Sequence, residues 1–339
     1  MITTQQLINV VNKPEYDFLR TNEHLGKKVC LLTVGGSYSY GLEKPDGSSD
    51  IDIRGCAWNT KEQILGTQNF EQFINEETDT TIYGFNKFMK LLIDNNPSLL
   101  EMCGCKPEHY LYIHPLMQDV INNVDMFLSQ RCARTFGGYA NQQLRRLENA
   151  LAHDNYPAAE KEKHLLGSLQ ITMDAMFSDY GNDVLVYTDP STNEVRIKFR
   201  KDFDRPIRET NSFLSQMTNI VRDYDKLNRR NKKKDDLHLN KHAMHLVRLF
   251  KMGAEILESG KINTFREADH DLLMMIRNGF FQKADGGFHS TFFEMVNDLQ
   301  SDFEYAKQNT FLPKNPDNKL VEEYIIGMNM EMIRMSEVS

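Results

Sequence analysis

Val34-Gly35-Gly36-Ser37-Tyr38-Ser39-Tyr40-Gly41-Leu42, followed by Ser49-Asp50-Ile51-Asp52-Ile53-Arg54-Gly55, is the stretch on which the reading of this chain turns. The run from Lys28 to Val34 is short, apolar and rich in β-branched residues, which predicts a buried strand. It ends in Gly35-Gly36, a tight turn where backbone N–H groups can approach a phosphate because no Cβ intervenes. A helix starting after Ser37 would add its positive end, and the Ser37 hydroxyl can donate to a phosphate oxygen. Ile51 to Trp58 predicts a second strand. Residues two apart on a strand share a face, so Asp50 and Asp52 converge. Paired carboxylates of this kind can hold two Mg²⁺ ions about 3.5–4 Å apart, the arrangement that clamps attacking and leaving oxygens in phosphoryl or nucleotidyl transfer. Twelve residues separate Ser37 from Asp50. Either motif alone is uninformative; their order on strand, turn and strand is not.

Outward from this stretch, residues 4–20 read as one or two short helices broken at Pro14. Residues 45–49 read as a loop and Thr78 to Tyr83 as a third strand. Phe85 to Ile93 has helical periodicity, and Asn96-Pro97-Ser98 opens another helix. Beyond Pro115 long helical patterns dominate, over roughly 116–129, 131–152, 158–179, 209–230, 238–259, 266–277 and 290–308. A hairpin around Asp189-Pro190-Ser191 interrupts them, and a loop from Phe311 precedes one last helix. The expected fold class is α+β. Residues 1–115 are expected to form a domain with a sheet and helices, and residues 116–339 a larger, mostly helical domain with a small hairpin.

The 339 residues are 40% apolar and 26% charged, a globular profile. No window of 18 uninterrupted apolar residues and no basic-then-apolar start occur, so neither a membrane span nor a signal peptide is expected. Five sparse cysteines, with Cys103 and Cys105 the only close pair, suit free thiols in a reducing cytoplasm. The net charge of −8 argues against a non-specific nucleic-acid coat. It is unevenly spread: from Arg222 to Lys251 the balance is +6, so the remainder carries −14.

The two motifs together resemble the fingerprint of the DNA-polymerase-β-type nucleotidyltransferase superfamily, and within it the RlaP/YcgL-like branch, which is associated with RNA repair. Phe85-Asn86-Lys87-Phe88, Asn96-Pro97, Leu100-Glu101, Gly138-Tyr139-Ala140 and Gln143-Leu144 are similar to the same branch. So are Lys241, His245 and Arg248 in their spacing, and Leu272-Leu273 with Ile276-Arg277 and Gly279. Tyr38 departs, standing where superfamily members often carry arginine. The resemblance implies a mixed sheet with helices, catalysis by residues 1–115 and closure of the helical domain over the nucleotide. It implies an NTP substrate (ATP first), and two Mg²⁺ ions, with Mn²⁺ as a substitute. Gly35, Gly36 and Ser37 would cradle the phosphates. It also implies a third carboxylate beside Asp50 and Asp52 as metal ligand and catalytic residue. Asp79, in the third predicted strand, is the choice and Glu101 the reserve.

Lys241, His245 and Arg248 follow i, i+4, i+7 spacing and share a narrow helix sector, opposite Ala243, Val247, Phe250 and Ala254. The resemblance makes this stripe a triphosphate contact; solvated surface is the plain alternative. Arg229, Arg230 and Lys232 to Lys234 form a basic run suited to a polyanion. His238, His242 and His245 lack the Cys or spaced carboxylate that would complete a zinc set. The expected acceptor is an RNA or tRNA end. A hydroxyl on a protein partner is the nearest alternative, a small molecule the third, and a non-catalytic nucleotide- or RNA-binding module the reading from another class.

Overall fold

The computed structural model describes residues 3–44, 47, 49–155, 184–188, 191, 195–199, 218, 236–284 and 287–338. They group into two compact units, Met1–Leu147 with Asp236–Ser339, and Glu148–Asp235. The join expected near residue 115 therefore falls inside the first unit. The helix expected at 158–179, that at 209–230 apart from residue 218, and the basic run at 229–234 lie outside the described residues.

In the first unit, α1 (Thr4–Val11) carries a capping box from Thr3 to Gln6, and the chain breaks at Pro14 before α2 (Phe18–Thr21). Strand β1 (Val29–Val34) leads through Gly35 into α3 (Gly36–Tyr40), which ends at Gly41. Next come β2 (Ile53–Ala57), α4 (Lys61–Leu65), β3 (Gln72–Asn75) and β4 (Thr80–Gly84). They are followed by α5 (Phe85–Ile93), α6 (Pro97–Cys103), β5 (Tyr110–Ile113) and α7 (Pro115–Asn122). Helix α6 starts as its sequence predicts, with Pro97 in the first turn and the Asn96 side chain accepting from the Ser98 N–H. The five strands form one mixed sheet in the order β3-β4-β2-β1-β5. Strands β2 and β4 are parallel and the other pairs antiparallel. Val11, Tyr16, Leu19 and Leu25 from the N-terminal segments bury against Val29, Ile53 and Ile82 of the sheet.

After α8 (Arg131–Asn155), the chain returns to this unit with α9 (Asp236–Ser259), α10 (His270–Arg277), α11 (Ser290–Asn309) and α12 (Asn318–Val338). Helix α9 packs on α10 and α11. At Gly253 a Cβ would come within 2.7 Å of Phe303 and 2.9 Å of Phe136, so the missing side chain sets the approach of the helices. The loop after α9 is tied to the sheet half by backbone bonds, Thr264 N–H to Gly104 O at 3.1 Å and Arg266 N–H to Tyr40 O at 2.9 Å. These ties explain why a boundary at 115 does not separate compact bodies. The α+β class stands. In the second unit, β6 (Val184–Thr188) and β7 (Val195–Phe199) form the expected antiparallel hairpin. No described helix is long and apolar enough to cross a membrane.

Candidate active site

Strand register brings the motif residues together. Antiparallel pairing sets Val34 against Ile53, and parallel pairing sets Ile53 against Thr80. One step further, Gly35, Asp52 and Asp79 therefore meet at one end of three adjacent strands. The Gly35 N–H donates to Asp52 O at 2.8 Å, and the Ile53 N–H to Asp79 O at 3.2 Å.

Both acids precede their strands rather than lying inside them. Strand β2 begins at Ile53 and β4, the third strand that the sequence pattern suggested, at Thr80, each two residues later than expected. Asp79 occupies the turn at φ 45°, and its side chain is 62% exposed. The expected helix begins at Gly36, two residues early, and is five residues long. Such a short helix offers a phosphate its first unpaired N–H groups more than an aligned dipole. Gly36 has φ +57°, and a Cβ there would lie 1.6 Å from Asp52 Oδ2. Only glycine allows the turn to lie directly on that carboxylate. Tyr38, at the departing position, is buried with Leu7 and Val34.

Arg54 sits two residues beyond Asp52 and turns back to the same end of the sheet. Its Nη1 donates to Asp79 O at 2.6 Å, and its Nη2 lies 3.4 Å from Asp52 Oδ1 and 3.3 Å from Asp79 Oδ1. Burial, and then a hydrogen bond shared with Asp79, push the Asp52 carboxyl up to about 7, against the pull of Arg54 and Lys241. The same shared hydrogen bond holds Asp79 below the usual carboxylate range. Asp52 thus tends to keep a proton that it donates to Asp79. Arg54 was not among the residues singled out from sequence, although its i+2 spacing from Asp52 placed it on the same face.

Asp50, Asp52, Asp79, Gly35, Gly36 and Ser37 all line one cavity of about 570 Å³, within the usual range for a ligand pocket. Lys241 and His245 of α9 line it too; Arg248 does not. Four cations (Lys44, Arg54, Lys241, Arg277) and four acids (Asp50, Asp52, Asp79, Glu101) line it. His245 is held well below the usual histidine range, first by burial and then by Arg248 and Lys241, so it is a neutral imidazole at pH 7.

Arg248 lies behind the cavity wall. Its Nη1 meets Glu101 Oε1 at 2.5 Å, with side chains 5% and 14% exposed, and its guanidinium covers the Tyr40 ring at 3.9 Å. The Tyr40 hydroxyl donates to Glu101 Oε2 at 2.7 Å. Arg248, expected at the triphosphate, is here ion-paired with Glu101, which has both oxygens engaged. Gln143 is also occupied, its Oε1 2.8 Å from His242 Nδ1, while the Tyr139 hydroxyl accepts from Asn96 at 3.3 Å.

Among the described residues, no three His, Cys, Asp or Glu side chains are gathered as a ready metal cage. The donor set nonetheless suits a hard divalent cation. Asp52 and Asp79 offer carboxylate oxygens side by side, bridged by an arginine N–H that a cation can replace. Mg²⁺ retains several waters and asks for only one or two carboxylates.

A glycine turn laid on an acid, with a second acid in register beside it, is the arrangement that the polymerase-β-type resemblance of the motifs implies. Residues 12–169 match the RlaP family model, described as an RNA repair pathway DNA polymerase beta family. The match supports the polymerase-β-type RlaP branch that the motifs resemble, and suggests a nucleotidyltransferase in RNA repair. It covers Gly35 to Glu101 and stops short of Lys241, His245 and Arg248. Comparison with curated proteins and with solved structures found no match.

Proposed function

We propose that this protein transfers a nucleoside monophosphate from an NTP to an acceptor hydroxyl, with an RNA end as acceptor. The observation that carries the reading is the register of Gly35, Asp52 and Asp79 at one end of the sheet, with Gly36 against Asp52. Asp50, Asp52 and Asp79 would hold two Mg²⁺ ions, or Mn²⁺. When bound, these supply charge neutralisation on the α-phosphate and pyrophosphate and lower the pKa of the attacking hydroxyl. The backbone of Gly35 and Gly36 and the Ser37 hydroxyl receive the β- and γ-phosphates. Lys241 faces them from α9. The acceptor oxygen bonds to the α-phosphorus, the bond to the β-phosphate oxygen breaks, and pyrophosphate leaves. The acceptor proton passes to the Asp52–Asp79 pair or to water.

In this reading residues 1–115 carry the chemistry, and the helical remainder supplies Lys241 and His245 to the nucleotide. Catalysis rests on positioning and electrostatics rather than on a covalent enzyme intermediate. The test is incubation with each α-labelled NTP and Mg²⁺, offering total RNA, tRNA and the protein itself. Label should enter RNA in wild type and not in Asp52→Asn. Label on protein alone would move the acceptor to a protein hydroxyl. Equal labelling by Asp52→Asn would overturn the site.

A further inference from the structure

The four cations that line the cavity fall into two pairs. Arg54 and Lys241 attend the acids: Arg54 bridges Asp52 and Asp79, and the charges of both cations reach those carboxyls. Lys44 and Arg277 do not. Arg277, the last residue of α10, donates from Nη1 to the Leu42 carbonyl, two residues from Lys44. The Lys44 N–H is held in turn by Ser49 Oγ at 2.8 Å. Neither of these two side chains is ion-paired among the described residues. Arg277 is half-buried, and burial holds it below the usual guanidinium range, with Glu43 pulling the other way. Glu43 does not line the cavity, so the guanidinium meets the cavity without a carboxylate of its own. A partly desolvated cation without a counter-ion is costly and asks for an anion. Leu42 lies past the end of α3 that is remote from the glycine turn. Five helical residues at about 1.5 Å each set those two ends roughly 7–8 Å apart.

We propose that Arg277 and Lys44 form a second anion subsite of the cavity, which takes a backbone phosphate of the RNA acceptor, the phosphodiester next to its 3′-terminal hydroxyl. This inference rests on the nucleotidyltransferase reading above. In that reading the NTP phosphates go to the glycine turn, with the metal ions and Lys241, so the other pair of cations is spare. The guanidinium presents a planar fork to phosphate oxygens, and the ammonium adds a point charge. An RNA end carries a phosphate within one nucleotide of its terminal hydroxyl; a serine or tyrosine hydroxyl on a protein carries none. Phosphate contacts fix register without reading sequence. The subsite therefore sets the hydroxyl against the α-phosphorus whatever the terminal base.

The experiment is equilibrium binding of a labelled short single-stranded RNA with a 3′-hydroxyl, read by anisotropy in Mg²⁺ with the unreactive α,β-methylene analogue of ATP. A companion strand carries an uncharged methylphosphonate in place of the last phosphodiester, and a control strand carries it at an internal one. In wild type the intact strand should bind about tenfold tighter than the companion, the size of one charge-assisted hydrogen bond. Arg277→Gln with Lys44→Gln should bring that ratio to about one, and Arg277→Lys should keep part of it. The internal control should not depend on either residue, and affinity for the ATP analogue should stay as in wild type. Should the loss of Arg277 unfold the protein, Lys44→Gln alone leaves the bond to Leu42 in place and should still lower the ratio. A ratio near one in wild type, or a ratio that the variants leave unchanged, would overturn the proposal while RNA and nucleotide binding stand. Variants that weaken the ATP analogue and keep the RNA ratio would give the pair to the triphosphate instead. Binding of the analogue without any binding of RNA would overturn the RNA acceptor, and this subsite with it, in favour of a protein hydroxyl. Absence of analogue binding would overturn the nucleotidyltransferase reading itself.

Discussion

Removing Glu101 tests what Arg248 is for. In Glu101→Ala the guanidinium keeps its burial, 4% exposed, and loses a carboxylate at 2.5 Å. The Tyr40 ring remains under it at 3.9 Å, but a ring face contributes only about 0.5–2 kcal/mol. The Tyr40 hydroxyl loses its acceptor in the same step. An uncompensated buried charge of this kind costs about 3–5 kcal/mol. Arg248→Met should cost less, because the freed Glu101 still accepts from Tyr40 and borders the cavity. Replacing the pair together, Glu101→Leu with Arg248→Met, removes both charges and should recover most of the loss, leaving about 1–3 kcal/mol for the Tyr40 hydroxyl without its acceptor. Urea unfolding of the four proteins measures this directly, and melting temperatures should follow at about 2–4 °C per kcal/mol. The double variant should bind ATP as wild type does. If Glu101→Ala costs under about 1 kcal/mol, the pair is not what holds this wall. If the double variant is stable but binds ATP tenfold more weakly, Arg248 reaches the phosphates after all, as its place in the polar stripe suggested.

Gly36→Ala should destabilise the protein by about 1–2 kcal/mol from its left-handed backbone alone. It should also abolish any Mg²⁺-induced rise in melting temperature, because the new Cβ displaces Asp52 Oδ2; an unchanged Mg²⁺ response would contradict this geometry. His245 is held below its ordinary value, so the unfolded chain takes up a proton there while the folded one resists it. Its contribution is present above about pH 6.5 and is lost as pH falls below that, at up to about 1.4 kcal/mol per unit. Thermal scans from pH 7.5 to 5 should show His245→Gln losing less stability than wild type on acidification. Neutralising Arg229, Arg230, Lys232, Lys233 and Lys234 together should leave ATP affinity unchanged. It should flatten the salt dependence of RNA binding by about 0.7 in log–log slope for each phosphate that the run neutralises in wild type; the same slope in both proteins would remove the case for RNA on that run.

The glycine turn was legible because its chemistry is local: adjacent glycines favour a turn. Asp50 and Asp52 line the same cavity, but from the segment before the strand and not from a strand face. Strands β3 and β5 were not legible. Each is four residues long, β3 pairs only with β4, and β5 is pressed between His109 and Pro115. Nothing in so short a run separates strand from loop. The β-branched neighbours Thr78 and Thr80 make Asp79 read as a strand residue, whereas its left-handed backbone puts it in the turn. Arg248 shows the larger limit. Helical spacing identifies its stripe correctly as polar, but a polar stripe faces either water or a buried partner. That partner lies 147 residues earlier in the chain. Leu237 and Met244 likewise read as ordinary apolar helix positions until the cavity shows what they border.

Because the first unit is assembled from Met1–Leu147 and Asp236–Ser339, its cavity has a birth order. A nascent chain that has reached residue 235 already holds the glycine turn, Asp52, Asp79 and Glu101. It has no Arg248 for Glu101 and no Lys241 opposite the acids. Asn278, also part of the wall, arrives later still. Nucleotide binding therefore cannot help the first half fold on the ribosome. That half must wait, with only Lys44 and Arg54 beside its acids, while the whole intervening unit is synthesised. At about 5–20 residues per second, the wait for the 88 residues from Glu148 to Asp235 is roughly 4–18 s. Ribosome-stalled chains ending near 235 and near 300 should differ sharply in protease resistance of the sheet, and only the longer should be protected further by ATP.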